Sequence, residues 1–204
     1  MIGVLDLGIS NVGSVLNMFK YIGCNARAIA STDELNDCSK IVLPGVGSFD
    51  TGIDALLRSG LYDDLNNRVL NEKIPVLGIC LGMQLMCLSS EEGVRPGLGW
   101  VNARVLDFKK SSHPPGKTPH MGWNTVEVKK TNDFTAGINA ETRYYFVHSY
   151  YVECNNSTDI LLTTRYGSDF VSAFQVDNII GVQFHPEKSH LFGADLLKRF
   201  GESC

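Results

Sequence analysis

The sequence predicts an α/β fold with a mixed central sheet, helices on both faces and an antiparallel extension. Three observations predict it. Strand-length apolar runs alternate with helical patterns through the first half, which implies a parallel sheet covered on both faces. From Trp100 onward strand follows strand, which implies an antiparallel addition. The chain has 204 residues, 44% hydrophobic and 20% charged, which suits one globular domain with its own core.

The elements follow in order. Residues 2–6 form a short apolar strand. Residues 11–21 read as a helix, capped by Ser10 or Asn11, with Val12, Val15, Leu16 and Phe19 on one face and Gly23 closing it. Residues 25–30 and 40–43 are strands, and Pro44-Gly45-Val46-Gly47 turns the chain. Helical patterns cover residues 49–57 and 61–71. Residues 75–79 form a buried strand, and a helix over 81–88 starts without a gap. Strands are then expected over 101–108, 123–129, 143–147, 159–165, 172–176 and 179–184, before a final helix from 189 to about 201.

The net charge is −4, which argues against broad binding to nucleic acid or to an anionic membrane. Residues 74–88 are the longest apolar stretch, but Pro75, Gly78, Gly82 and Gln84 interrupt it, and it is too short to span a bilayer. The N-terminus shows no secretory signal. The six cysteines, Cys24, Cys38, Cys80, Cys87, Cys154 and Cys204, show neither CxxC spacing nor a disulfide rhythm. A cytoplasmic location with reduced thiols is therefore expected. No Cys/His cluster or H-x-x-x-H spacing is present, so neither a metal nor a cofactor is expected.

The sharpest local signal is Gly78-Ile79-Cys80-Leu81-Gly82. It is the cysteine form of the strand–turn–helix nucleophile elbow. The turn is so tight that bulk at Gly78 or Gly82 would clash with facing backbone. It lifts the Cys80 sulfur above the sheet edge at a helix N-terminus, where the backbone dipole favours thiolate. The amide of Leu81 then points where an oxyanion would form. The alternative is a buried, inert cysteine, which is the reading for the other five.

A thiol nucleophile needs an imidazole held by a third group. His185 ends an apolar strand in Gln183-Phe184-His185-Pro186-Glu187-Lys188. In an extended segment Glu187 would share its side and fix one tautomer. Both Cys80 and His185 fall at strand ends, which gather at one edge of an open α/β sheet. His148 also ends a strand but lacks an acid two residues away, so it suits substrate positioning. The loop Pro44-Gly45-Val46-Gly47 fits neither phosphate-cradling pattern. It is either a plain turn or the source of a second oxyanion amide.

Taken together, these segments resemble the class I glutamine amidotransferases, which use a Cys-His-Glu triad. The resemblance spans essentially the whole chain and includes Pro44-Gly45-Val46-Gly47-Ser48-Phe49, Ser89-Ser90-Glu91-Glu92-Gly93, Pro119-His120-Met121-Gly122-Trp123-Asn124, Tyr145-Phe146-Val147-His148-Ser149-Tyr150 and Gln183-Phe184-His185-Pro186-Glu187-Lys188-Ser189. Within the class the chain looks like the glutaminase subunits of imidazole glycerol phosphate synthases, from histidine biosynthesis. The Pro-His-Met-Gly-Trp-Asn block is the most diagnostic part.

The resemblance implies a flavodoxin-like sheet and hydrolysis of L-glutamine through a γ-glutamyl thioester. Cys80 would be the nucleophile, His185 the base and Glu187 its orienter. Leu81 and Val46 would supply oxyanion amides, Val46 after a peptide flip. Gly47, Gln84, His148, Ser149 and Tyr150 would hold the glutamine head group. Asn11, Met121, Trp123 and Lys188 would lie toward a synthase partner. It also implies a heterodimer in which ammonia passes to a (β/α)8 cyclase barrel that makes imidazole glycerol phosphate and AICAR.

The sequence departs from that pattern in Asp6-Leu7-Gly8-Ile9-Ser10-Asn11, in Gly97-Leu98-Gly99-Trp100 and in Ser189-His190-Leu191-Phe192-Gly193. These segments look closer to a sister group that feeds ammonia to a sugar-nucleotide amidotransferase in surface-polysaccharide pathways. A stand-alone cysteine hydrolase and a non-catalytic binding protein on the same fold are the alternatives of other classes.

Overall fold

A computed structural model describes residues 1–203, so Cys204 lies outside the described residues. The first half of the chain builds β1 (Ile2–Leu5), α1 (Val12–Tyr21), β2 (Ala26–Ile29), α2 (Thr32–Asn36), β3 (Lys40–Gly45), α3 (Phe49–Ser59), α4 (Tyr62–Asn66), β4 (Val76–Cys80) and α5 (Leu81–Leu85). The second half builds β5 (Ser89–Ser90), β6 (Ala103–Asp107), β7 (His120–Thr125), β8 (Glu127–Val128), β9 (Arg143–His148), β10 (Tyr150–Cys154), β11 (Ile160–Tyr166), β12 (Ser168–Val176), β13 (Ile179–Val182) and α6 (His190–Ser203).

Strands β2-β1-β3-β4-β13 lie side by side and are parallel. The order is that of a doubly wound α/β sheet, whose ligand crevices lie outside the carboxyl ends of the strands. Beyond β13 the sheet continues antiparallel through β12, β10 and β6, with β5 at its edge. β11 and β8 branch off β12, while β7 and β9 form a separate antiparallel ribbon.

Burial explains the near-continuous apolar runs. β1, β4 and β13 are buried along their whole length, as strands covered on both faces must be. Successive side chains point to opposite faces and so enter different layers. Leu5 and Leu43 pack with Phe49, Leu56 and Met83 from α3 and α5. Val4, Val42, Leu77 and Ile79 pack with Phe19 of α1 and with Leu196, Leu197 and Phe200 of α6.

Some elements differ from expectation. The short helix α2 falls where the sequence reading places none, although Ser31 and Glu34 carry a capping pattern. Ser31 Oγ accepts from Glu34 N at 3.4 Å, and Glu34 Oε2 accepts from Ala30 N at 2.8 Å. β10 is a further addition. The chain leaves the ribbon at Ser149 and joins the main sheet beside β6 and β12. The helix expected over 81–88 ends at Leu85. Its last carbonyls are taken by a returning loop: Leu98 N donates to Leu85 O at 2.8 Å, Trp100 N to Met86 O at 3.0 Å and Gly99 N to Cys87 O at 3.1 Å. Leu88 N in turn pairs with Ala103 O at 2.9 Å. The 61–71 helix continues past α4 as a π-helical turn, Asn67–Asn71.

Candidate active site

Cys80 closes β4 and is the residue before α5, with φ +53° and ψ −108°. Such a backbone conformation costs a non-glycine residue about 1–3 kcal/mol and persists only where its surroundings enforce it. The glycines show how they do so. A Cβ at Gly82 would stand 1.8 Å from Leu43 O, and one at Gly78 would stand 2.7 Å from Met83 N. Only hydrogen at both positions lets β3, β4 and α5 approach this closely. The elbow leaves the Leu81 amide at the first position of a helix, where no intrahelical acceptor exists.

His185 follows β13 and is held to the ribbon. Its amide donates to Tyr145 O at 2.9 Å, and its carbonyl accepts from Ser189 Oγ at 2.6 Å. The His185 Nδ1–H donates to Glu187 Oε1 at 2.7 Å. The sequence reading makes that contact through an extended segment, but Pro186–Lys188 is a 3-10 turn. Glu187 therefore reaches the ring by curling back beside it. Nδ1 is thereby committed to Glu187, and Nε2, the other ring nitrogen, is buried and meets no other hydrogen-bond partner within bonding geometry. Burial alone would depress the imidazole pKa. The Cys80 sulfur and the Glu187 carboxylate outweigh burial and push it up to about 10.

The sequence-predicted residues divide between two regions. Val46, Gly47, Cys80, Leu81, Gln84, His148, Ser149, Tyr150 and His185 surround one cavity of about 340 Å³, joined by Glu92, Pro119 and Val147. Asn11, Met121, Trp123 and Lys188 do not line it. Asn11 caps α1, its Oδ1 accepting from Ser14 N at 3.1 Å. Met121 and Trp123 are 62% and 44% exposed on the outer side of the β7 ribbon. The Trp123 ring stacks on His190, centroids 5.4 Å apart, beside an open groove between α1 and the start of α6.

Several of these groups are already engaged. Val46 N donates to Ile9 O at 3.0 Å, so it is turned away from an oxyanion position. His148 Nδ1–H donates to Tyr150 O at 2.8 Å, which makes its Nε2 the acceptor for His120 Nδ1–H at 2.9 Å. Burial keeps this pair neutral, lowering His148 to about 3 and His120 to about 4. Neither ring nitrogen of His148 remains to bind a substrate. Two residues, one on the wall and one behind it, have no role in the sequence reading. Glu92 is the cavity's carboxylate; burial raises its pKa, and its Oε2 accepts from Phe49 N at 2.8 Å. Gln183 is buried behind Cys80, and only its place two residues before His185 hinted at it. Among the described residues no group of three His, Cys, Asp or Glu side chains is placed to hold a metal ion. No helix among them is long and apolar enough to cross a membrane.

The His185–Glu187 contact carries a pH prediction. A base whose pKa rises from 6.5 to about 10 on folding contributes stability that is complete below pH 6.5 and is lost as pH rises through 10. Glu187→Gln is expected to lower the His185 midpoint by about 1–3 pH units, followed by ¹⁵N NMR of the imidazole. The stability advantage of the parent over the variant, measured in urea, should shrink between pH 6.5 and 10. An unmoved midpoint would show that Glu187 does not act on the ring.

A family model described as glutamine amidotransferase class-I matches residues 3–203. The chain is 46% identical over 202 residues to a Pseudomonas aeruginosa protein named imidazole glycerol phosphate synthase subunit HisH 2, covering 99% of each chain. It is 49% identical over 200 residues to a Methanococcus maripaludis protein of the same name, covering 98% of each. A solved structure described as a glutamine amidotransferase superposes with a TM-score of 0.75 at 19% identity, over 98% of this chain and 96% of that one. A glutamine amidotransferase from Thermotoga maritima gives 0.69 at 17% identity, over 99% and 98%. At such identities the two structures speak for the fold alone.

Proposed function

From the premise that the chain belongs to the class I glutamine amidotransferase family, we propose that it is the glutaminase subunit of an imidazole glycerol phosphate synthase. The observation that carries the chemistry is a buried, unpartnered imidazole nitrogen beside a cysteine held in a strained elbow on the cavity wall. His185 Nε2 holds the proton given up by the thiol, and the Cys80 sulfur attacks the side-chain carboxamide carbon of L-glutamine. The imidazolium returns that proton to the departing nitrogen, and ammonia leaves. His185 then activates water, which cleaves the γ-glutamyl thioester and frees glutamate.

The oxyanion is met by the Leu81 amide. A second donor requires the Gly45–Val46 peptide to turn over, breaking the bond from Val46 N to Ile9 O. That rotation changes ψ at Gly45 and φ at Val46, and glycine at position 45 is free of the Cβ that would restrict its share of it. One such donor contributes about 2.7–4 kcal/mol of transition-state stabilisation. Glu92 offers the carboxylate for the α-ammonium group of glutamine. His148 serves by fixing the Tyr150 carbonyl and forming the wall, with Ser149, Tyr150, Gln84 and Gly47 around it.

The relatives are named as subunits, which supports a synthase partner; the (β/α)8 cyclase barrel and the cytoplasmic setting are part of this proposal. The exposed Met121 and Trp123 suit its contact surface, since interface cores favour Met and Trp. Asn11 and Lys188 would border it. The test is which protein copurifies and stimulates glutaminase activity. A cyclase barrel is the expected result; a sugar-modifying synthetase would move the chain to the polysaccharide pathway. Trp123→Ala is expected to weaken the complex about tenfold or more while leaving the thermal midpoint of the isolated chain almost unchanged. An equal loss of both would place Trp123 in the core.

A further inference from the structure

Gln183 is fully buried immediately after β13, and its amide donates to Ser172 O at 2.9 Å. The orientation of its side chain follows from its neighbours. The carbonyl of Tyr150 can only accept, so the Gln84 atom 3.2 Å from it must be the nitrogen. That same nitrogen stands 3.0 Å from one terminal atom of Gln183, which must then be Oε1. The remaining atom, 3.7 Å from Cys80 Sγ, is therefore Nε2, a donor. Turning this amide over would set nitrogen against nitrogen and a carbonyl against the sulfur. The Tyr150 carbonyl is itself pinned by His148, and His148 by His120.

We infer that Gln183 is a positioning residue for the nucleophile: its amide N–H, aimed by Gln84 and Tyr150, holds the Cys80 sulfur and favours its anion as His185 removes the proton. The inference rests on Cys80 being the glutaminase nucleophile proposed above. A hydrogen bond to an ionised acceptor is about twice as strong as one between neutral groups, so this donor favours the thiolate over the thiol. Burial magnifies the difference, because Gln183 is fully shielded from solvent and Cys80 almost so. Gln84 thus has a role beside the substrate: both hydrogens of its amide are spent on Tyr150 and Gln183.

Gln183→Met keeps the length of the side chain and removes the donor. The measurement is the pH dependence of Cys80 carbamidomethylation by iodoacetamide in the full chain, quantified by mass spectrometry of the Cys80 peptide. The midpoint is expected to rise by about one pH unit, with labelling about tenfold slower at pH 7 and the same plateau at high pH. A parental midpoint, or a reduced plateau with no shift, would overturn the inference. Should Gln183→Met fail to fold, Gln84→Met decides. It cuts the anchor on Gln183 Oε1 and is expected to raise the midpoint by a smaller amount, and an unshifted midpoint there is equally fatal. Labelling needs no glutamine turnover. Absence of glutaminase activity in the parent with its partner would refute the proposed function, yet leave this comparison readable.

Discussion

Cys80→Ala is expected to abolish glutamine-dependent synthesis by the complex while synthesis from added ammonia continues at nearly the parental rate. The sulfur is the atom that bonds to the carboxamide carbon, and alanine offers no nucleophile in its place. Removal of a catalytic nucleophile costs about 10⁴-fold or more in rate. The substitution leaves the elbow glycines untouched. Alanine, like cysteine, is strained at φ +53°, so the local backbone demand does not change. Added ammonia bypasses the glutaminase and reaches the acceptor directly. The two rates, measured on the same purified complex, separate chemistry from assembly. A parallel fall in both would make Cys80 a structural residue and remove the mechanism.

Gly82→Ala is expected to destabilise the fold by about 3 kcal/mol, at the upper end of overpacking costs, or to prevent soluble expression. The added methyl would stand 1.8 Å from the Leu43 carbonyl oxygen and 2.8 Å from its carbon. Both belong to β3, a central strand buried between neighbours, so the obstacle is backbone that cannot swing aside as a side chain can. Relief requires α5 to withdraw from β3, which would also displace the Leu81 amide and Cys80. Urea denaturation measures the loss. As a control, alanine at Gly116 meets no atom within 4 Å and should be nearly neutral. Equal stability of the Gly82 and Gly116 variants would show that the elbow is looser than its geometry implies.

The parallel core was legible because strands buried on both faces must be apolar almost throughout, and the segments around Val4, Val42, Leu77 and Ile180 are. The elbow was legible because one steric demand, hydrogen at Gly78 and Gly82, leaves a signature within five residues. The His185–Glu187 contact follows in sequence from an extended segment and is made through a 3-10 turn. The reach is short enough that either backbone would serve. The length of α5 escapes the pattern for a different reason. Apolar periodicity favours helix through Leu88, but loop amides at Leu98, Gly99 and Trp100 claim the carbonyls at its end.

Residue order therefore dictates local features: which segments are buried on both faces, where the chain must turn tightly, and which thiol and imidazole stand at strand ends. The direction in which the polar groups point is set only when the folded chain brings their partners together. The Val46 amide faces Ile9 rather than the cavity, His148 spends both nitrogens on His120 and Tyr150, and Gln183 presents a donor to the Cys80 sulfur. Each outcome depends on donors and acceptors brought together from distant parts of the chain, where one satisfied partner dictates the next. Hydrophobic patterning records that a residue is inside; it does not record which hydrogen bond wins once it is there.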